Sequence, residues 1–356
     1  MEKLLTIIIP TYNMEKYLNY CLDSLIIKNG LDELDVLVIN DGSCDTSSDI
    51  AHVYEKKYPS VFRVIDKENG NYGSCVNRGL KEAKGKYIKI LDADDSFDTI
   101  RFEKFIQFIS KVDVDLILSD FAVVDENRIV RQMIKYTFED NKIYLFNEIA
   151  KTNTFRKMQM HAVTYNRKIF ENLNYHQTEG ISYTDQEWIF IPMLRVNSIV
   201  CFNDYVYKYL IGRQGQTMGK AVNPVVLSKN ISSTMKGIES MLKSYDEYEY
   251  EFDSEKRKYF DYRLTTRIKS IYIACFKNFS YDIKQKLMAF DNSFLSLNKN
   301  LYLLVGNSNT IPILGMNYIS FWRANKCFPI WSIKIISFFY LYLKNLHVKE
   351  RNCMDI

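Results

Sequence analysis

The chain predicts an α/β fold with a mainly parallel, Rossmann-like sheet, and three observations carry that expectation. Short apolar runs of strand length recur through the first 120 residues, helix-length segments alternate with them, and the runs are rich in Val and Ile with little polar alternation. Strands covered on both faces read as continuous apolar runs, and strand–helix alternation implies parallel strands with right-handed crossovers. Ligands of such sheets bind beyond the carboxyl ends of the strands.

The elements follow in order. Residues 4–9 (LLTIII) form the first apolar run, broken by Thr6 alone. Residues 36–39, 61–65, 87–91 and 116–118 repeat the theme, with helical patterns over 14–28, 45–57, 73–84 and 99–110 between them. The loops to inspect are therefore 10–13, 40–45, 66–73 and 92–98. From 121 to 215 the pattern is mixed, with strands expected at 129–136 and 201–210 and a helix at 185–195. Beyond about 222 the chain reads as mostly helical. A first domain over 1–220 and a helical region over 221–356 are expected, although no Pro/Gly/Ser-rich linker marks the boundary. Residues 329–343 (PIWSIKIISFFYLYL) are apolar except for Lys334, and basic residues flank them: Arg323, Lys326, Lys344, Lys349 and Arg351. About 15 residues fall short of the roughly 20 that cross a bilayer. The tail, about 325–350, reads either as a helix lying in a membrane interface or as a buried terminal helix.

Composition excludes several classes. Six prolines and 13 glycines in 356 residues exclude collagen and disordered scaffolds. The net charge of +4 is too weak for a nucleic-acid binder, and it is matched by the six Lys/Arg against two Asp/Glu in residues 320–356. Seven irregularly spaced cysteines without a C-x-x-C argue against a zinc site or a disulfide framework. No basic n-region, apolar h-region and cleavage site is seen at the amino terminus, so a cytoplasmic protein with reduced thiols is expected. Aromatic residues at 14% allow buried or sugar-stacking surfaces.

The candidate chemistry lies at the strand ends. Asp92, Ala93, Asp94 and Asp95 follow an apolar strand directly. Carboxylates this close repel, and a hard cation such as Mg²⁺ or Mn²⁺, sharing phosphate oxygens with a substrate, relieves them. A bare Asp-x-Asp is weak, and Asp113/Asp115 is a decoy that precedes a strand and so falls on the opposite edge. Pro10-Thr11-Tyr12-Asn13 and Asn40-Asp41-Gly42-Ser43 consist of ordinary turn residues, yet both fall on the same edge as Asp92. Tyr12 could stack on a base, and Asp41 could accept from a base or ribose. Asn69 through Gly79 includes Asn71, Gly73 and Arg78 and opens a helix whose free N–H groups attract phosphate. Neither a P-loop nor a G-x-G-x-x-G is present.

Taken in order, these stretches resemble the family 2 glycosyltransferases with the GT-A fold. The resemblance runs from Ile7 through Asn13, Asn40 to Ser43, Asn69 to Gly79, Gly85 to Tyr87 and Leu91 to Asp95. It is close over about 100 residues and looser to about 215. It implies an inverting, metal-dependent enzyme that moves a sugar from a nucleoside diphosphate, here UDP, to a hydroxyl of a saccharide acceptor. With the apolar tail, it implies a lipid-linked acceptor at the cytoplasmic membrane face, as in capsule, exopolysaccharide or lipopolysaccharide assembly. The base and ribose would be held by Pro10, Thr11, Tyr12, Asn13 and Asp41. Asn71, Gly73 and Arg78 would line the uracil or diphosphate side. Asp92 and Ala93 would lie near ribose and donor sugar, Asp95 would hydrogen-bond the sugar or merely hold the loop, and Asp94 would be the ligand of Mg²⁺ or Mn²⁺.

Inversion by direct displacement requires a general base for the acceptor hydroxyl. The resemblance places it on Asp185, within residues 180–188, where Thr184 departs from the family's acidic pair. The competing reading of Asp185 is a carboxylate at a helix amino end. His161, on an expected strand, could touch acceptor or metal, or be a core residue. Arg213 could clamp the leaving diphosphate, or belong to a solvated turn. The Q-x-x-R-W motif of processive members is absent, which implies one sugar per encounter. A nucleotidyltransferase would carry a glycine-rich first loop, which residues 10–13 are not. A catalytically inert nucleotide-sugar-binding subunit would not need Asp185.

Overall fold

The computed structural model of the chain describes residues 3–213, 223–278, 280–307 and 317–325. The apolar tail and residues 214–222 lie outside the described residues. Two compact units are present. One comprises residues up to Val222 together with Phe252–Tyr259; the other comprises Asn223–Glu251 and the chain from Phe260 onward.

The first unit is built on one ten-stranded sheet. Its strands are β1 (Lys3–Thr11), β2 (Leu34–Asn40), β3 (Phe62–Asp66), β4 (Gly85–Ile90), β5 (Ser96–Phe97), β6 (Leu116–Val124), β7 (Val130–Ile134), β8 (Ile143–Leu145), β9 (Val163–Asn166) and β10 (Ser198–Leu210). The main order is β3-β2-β1-β4-β9-β6-β10-β5, with β7 on β6 and β8 on β10. The β3-β2-β1-β4 block is parallel throughout. Helices α1 (Glu15–Asp23), α2 (Ser47–Lys57), α3 (Asn71–Glu82) and α4 (Thr99–Ile109) alternate with these strands. Leu5, Ile7, Ile8 and Ile9 are all fully buried, as are Val36 through Ile39. Coverage on both faces explains the absence of polar alternation.

The one polar residue in the first run is satisfied. The Thr6 hydroxyl donates to Asp35 (2.8 Å) and accepts from the Gly85 amide (2.8 Å), and Arg63 forks onto Asp35 (2.8 and 3.1 Å). Buried polar groups persist when paired in this way.

Beyond β4 the sheet becomes mixed. β9 enters antiparallel to both β4 and β6, while β6 and β10 are parallel. β10 is 13 residues long, and its pairing with β6 shifts register between Phe202 and Tyr207. Such irregularities bend a strand and re-aim its side chains.

Two local expectations are corrected. His161 lies in a 3₁₀ turn, Met160–Ala162, just ahead of β9, rather than on a strand. The helix expected over 185–195 splits into Asp185–Trp188 and a 3₁₀ turn at Pro192–Arg195. Pro192 has no amide hydrogen to continue the ladder.

The segment Phe252–Tyr259 returns to the first unit. Lys256 Nζ donates to the Val196 carbonyl (3.0 Å), and Tyr259 packs edge-on to Phe146 at 5.2 Å. The second unit contains the helices Pro224–Tyr248, Tyr281–Leu297, Lys299–Asn307 and Tyr318–Asn325, with the helix Ser254–Lys277 from Phe260 on. Asn223 caps the first of these by accepting from Val225 N–H (2.9 Å), with Pro224 in the first turn. Arg323 and Asp291 form a buried ion pair (2.9 Å) that Tyr272 and Tyr302 also join through their hydroxyls. Among the described residues no helix is long and apolar enough to cross a membrane.

Candidate active site

The carboxyl ends of β1, β2, β3 and β4 open on one cavity of about 570 Å³. Pro10, Thr11, Tyr12, Asp41, Asn71, Asp92, Ala93, Asp94 and Arg213 line it. Tyr12 is 47% exposed, so its ring face is available for stacking. Asp41 is held in place from the loop after β3: Lys67 Nζ (2.5 Å) and the Gly70 amide (2.9 Å) both donate to its Oδ1, and Asn69 donates to its carbonyl (2.9 Å).

The acidic turn after β4 is the electrostatic centre. Asp94 is ion-paired to the Arg213 guanidinium, and its carbonyl accepts from Arg128 (3.1 Å). Asp92 accepts from the Tyr72 hydroxyl (2.7 Å). Burial, and next the Asp94 charge, push the Asp92 carboxyl up to about 7. Asp95 is fully buried, accepts from the Tyr207 hydroxyl (2.6 Å) and the Leu210 amide (2.7 Å), and lies well above the usual carboxylate range through burial and the neighbouring Asp94 and Asp92.

A second cavity, about 480 Å³, shares Asn71, Tyr72, Asp92 and Tyr209 with the first. Gln159, Met160, His161 and the stretch from Ile181 to Gln186 complete it. Asp185 lines this cavity at the start of its short helix, and Gln186 Nε2 donates to its Oδ2 (2.8 Å). Residues far away in sequence hold that stretch. Asn77 of α3 brackets Gln177, accepting from its amide (2.8 Å) and donating to its carbonyl (2.9 Å). Gln177 Nε2 then donates to the Thr184 hydroxyl (2.7 Å). Buried Glu187 accepts from the amide (2.9 Å) and hydroxyl (3.0 Å) of Thr178. Thr184 is 1% exposed. Its departure from an acidic pair thus falls on an internal spacer and leaves Asp185 as the carboxylate facing the cavity.

His161 lines the second cavity with its ring against Tyr209 (4.3 Å), Tyr207 (4.8 Å) and Phe121 (5.0 Å). Its carbonyl accepts from the buried Lys89 ammonium (2.8 Å). Burial, then the Lys89 charge, pull the imidazole down to about 3, so it is neutral. Burial likewise pulls Lys89 down to about 7.

Four expected binding residues line neither cavity. Arg78 lies seven residues into α3, about 10 Å along the axis from the helix start at the cavity, and pairs with Glu82 (3.0 Å). Gly73 serves packing: a Cβ there would lie 2.2 Å from the Thr178 carbonyl oxygen. Asn13, in the left-handed region at φ 53°, clamps two loops by accepting from Cys44 N–H (2.8 Å) and donating its own amide to the Ser43 hydroxyl (3.0 Å). Asp95 holds the end of β10.

Lys89 and Tyr209 carry no motif that sequence reasoning picked out. Lys67 and Tyr72 fall in the loop 66–73 that the rule of strand carboxyl ends marks, without a role assigned to either. Tyr209 reaches the shared wall only through the irregular register of β10, which leaves no local signal.

The sheet order, with its parallel β3-β2-β1-β4 block and the acidic turn after β4, is that of the GT-A fold. Residues 6–173 match the model described as glycosyl transferase family 2. Over that stretch, somewhat under half of its length, the chain is similar to that family of glycosyltransferases. It is 28% identical over 190 residues to the "uncharacterized glycosyltransferase EpsJ" of Bacillus subtilis, covering 52% of this chain and 54% of that protein. It is 28% identical over 245 residues to the "poly(ribitol-phosphate) beta-glucosyltransferase" of Bacillus spizizenii, covering 68% and 37%. The chain thus spans about half the length, or less, of these curated relatives. The crystal structure of S. aureus TarS 1–349 superposes with a TM-score of 0.58 at 18% identity, over 85% of this chain and 90% of that one. At that identity the likeness is one of fold.

Proposed function

We propose that this chain is an inverting glycosyltransferase that moves a sugar from a UDP-sugar to a hydroxyl of a saccharide acceptor in cell-surface polysaccharide synthesis. The observation that carries the reading is the pair of cavities with a common wall at Asp92, Tyr72 and Tyr209, Asp94 and Arg213 lining one and Asp185 lining the other. In the first, Tyr12 stacks on the base, Asp41 accepts from the nucleoside, and Arg213 faces the diphosphate. In the second, the acceptor hydroxyl gives its proton to Asp185 as its oxygen attacks the anomeric carbon. The bond from that carbon to the phosphate oxygen breaks, and its electron pair leaves with the diphosphate.

The acidic turn fits a hard divalent cation. Asp92, Asp94 and Asp95 crowd three carboxylates into four residues directly after β4, an arrangement that a cation relieves. Asp94, which faces the first cavity, would hold Mg²⁺ or Mn²⁺ with the donor. The ion supplies counter-charge to the departing diphosphate.

Two of the similar proteins support the substrate class. The B. spizizenii relative is a poly(ribitol-phosphate) glucosyltransferase, and TarS has been crystallised with UDP-GlcNAc, superposing on this chain at a TM-score of 0.51. A polymer or lipid-linked acceptor at the inner membrane face follows from that class. Calorimetric titration with UDP, with and without Mn²⁺, followed by a panel of UDP-sugars with saccharide acceptors, tests the reading. Cation-strengthened UDP binding and transfer of one sugar with inversion are expected. Failure to bind any uridine nucleotide would overturn the donor assignment.

A further inference from the structure

Beneath the donor loop, one ligand atom each from Asp92, Asp95 and His161 lie within 4.8 Å of one another. Ligands about 2.1 Å from a common ion stand about 3 Å apart in cis and just over 4 Å apart in trans. The trio has to draw together to close on an ion.

A second feature of the trio is an unpartnered imidazole nitrogen. His161 is 7% exposed, and its Nδ1 is buried with no hydrogen-bond partner. Buried polar nitrogens are rarely left so. The ring is not adrift: Tyr207, Tyr209 and Phe121 surround it, and Lys89 ties down its carbonyl. The carboxylates are equally fixed, Asp92 by Tyr72 and Asp95 by Tyr207 and the Leu210 amide. Fixed ligands with oriented outer partners are what a resident ion requires.

We infer that Asp92, Asp95 and His161 form a second cation site, made wholly of protein groups and distinct from the one on Asp94. Two carboxylates and an imidazole favour a transition ion such as Mn²⁺, Co²⁺ or Zn²⁺ over Mg²⁺, which prefers all-oxygen ligands. The two sites differ in what completes them. Asp94 offers one carboxylate to an ion that borrows diphosphate oxygens. The deeper trio needs no nucleotide. The ion there sits behind Asp92, the one member of the trio that lines both cavities, and ties the acidic turn after β4 to the turn before β9.

The test uses Mn²⁺ alone, added to the full chain without nucleotide and followed by electron paramagnetic resonance. One bound ion with nitrogen-14 modulation from imidazole is expected, and a large excess of Mg²⁺ should not displace it. His161→Phe, which suits an aromatic surrounding, should erase the nitrogen signal and weaken binding at least about tenfold. His161→Gln serves the same purpose if the Phe variant fails to fold. Asp94→Asn should keep the nucleotide-free ion. No ion on the wild-type chain, a bound ion without nitrogen coupling, or equal binding by both His161 variants would each overturn the site. Loss of the ion in Asp94→Asn alone would do the same by placing it on Asp94. UDP titration of the same samples is a separate readout, so failure of this site leaves the donor assignment to stand or fall by itself.

Discussion

The two cavities share a wall but are assembled in opposite ways. On the donor side each contributing loop directly follows a parallel strand, and its residues are near neighbours in sequence: Pro10 to Tyr12, Asp41, Asn69 to Asn71, Asp92 to Asp94. On the other side Asp185 reaches its place through Gln177, Thr184 and Glu187, and through Asn77 on a helix about a hundred residues earlier. A surface that binds one recurring ligand can be written as short motifs at fixed strand ends. On the proposed reading, the acceptor surface is built from distant contacts, and its carboxylate is positioned rather than encoded.

That contrast can be broken or sharpened by measurement. The largest effect is expected from Asp185→Asn. Removing the base should lower turnover by about a thousandfold while calorimetric UDP affinity stays unchanged; retained turnover would place the base elsewhere. Arg213→Ala comes next. Losing the cation that faces the diphosphate should cost about a hundredfold in kcat/KM, and donor affinity should fall with it, unlike the Asp185 variant.

Gly73→Ala tests whether the donor helix supports the acceptor wall. The added methyl would meet the Thr178 carbonyl, and such overpacking costs about 1–3 kcal/mol. A lower denaturant midpoint and a raised acceptor KM with near-normal UDP affinity are expected; the reverse pattern would deny the coupling.

The smallest effect lies at the donor side's outer strand. His52 bonds Asp66 (2.9 Å) and Glu55 (2.8 Å), and these bonds, Asp66 first, raise its pKa. A raised folded-state value means the contribution is full below the unfolded value of about 6.5 and is lost as pH rises through the folded one. The melting temperature of His52→Ala should therefore fall below wild type in mildly acidic buffer, with the gap narrowing as pH rises.

Much of the donor half is legible in the sequence. The apolar runs over 4–9, 36–39 and 87–91 form β1, β2 and β4 because residues buried on both faces need no polar alternation. The turns after them mark one edge of the sheet, so strand order and turn chemistry alone gather Thr11, Tyr12, Asp41, Asp92 and Asp94. His161, Arg78 and Gly73 are less legible. A single histidine on an apolar stretch does not show that it sits in a turn. A glycine in a phosphate-like loop looks the same whether it admits a ligand or a carbonyl. An arginine in the right stretch can still stand too far along its helix.

By itself the sequence determined the α/β class, the parallel direction of the first strands and the identity of the acidic turn, because these follow from local periodicity and from which residue succeeds a strand. Only the tertiary structure decided that β9 enters antiparallel, that irregular β10 brings Tyr207, Tyr209 and Arg213 over the acidic turn, and that His161 comes beside Asp92 and Asp95. Those contacts span up to about 120 residues, and loop closure over such lengths leaves no periodic trace in the chain.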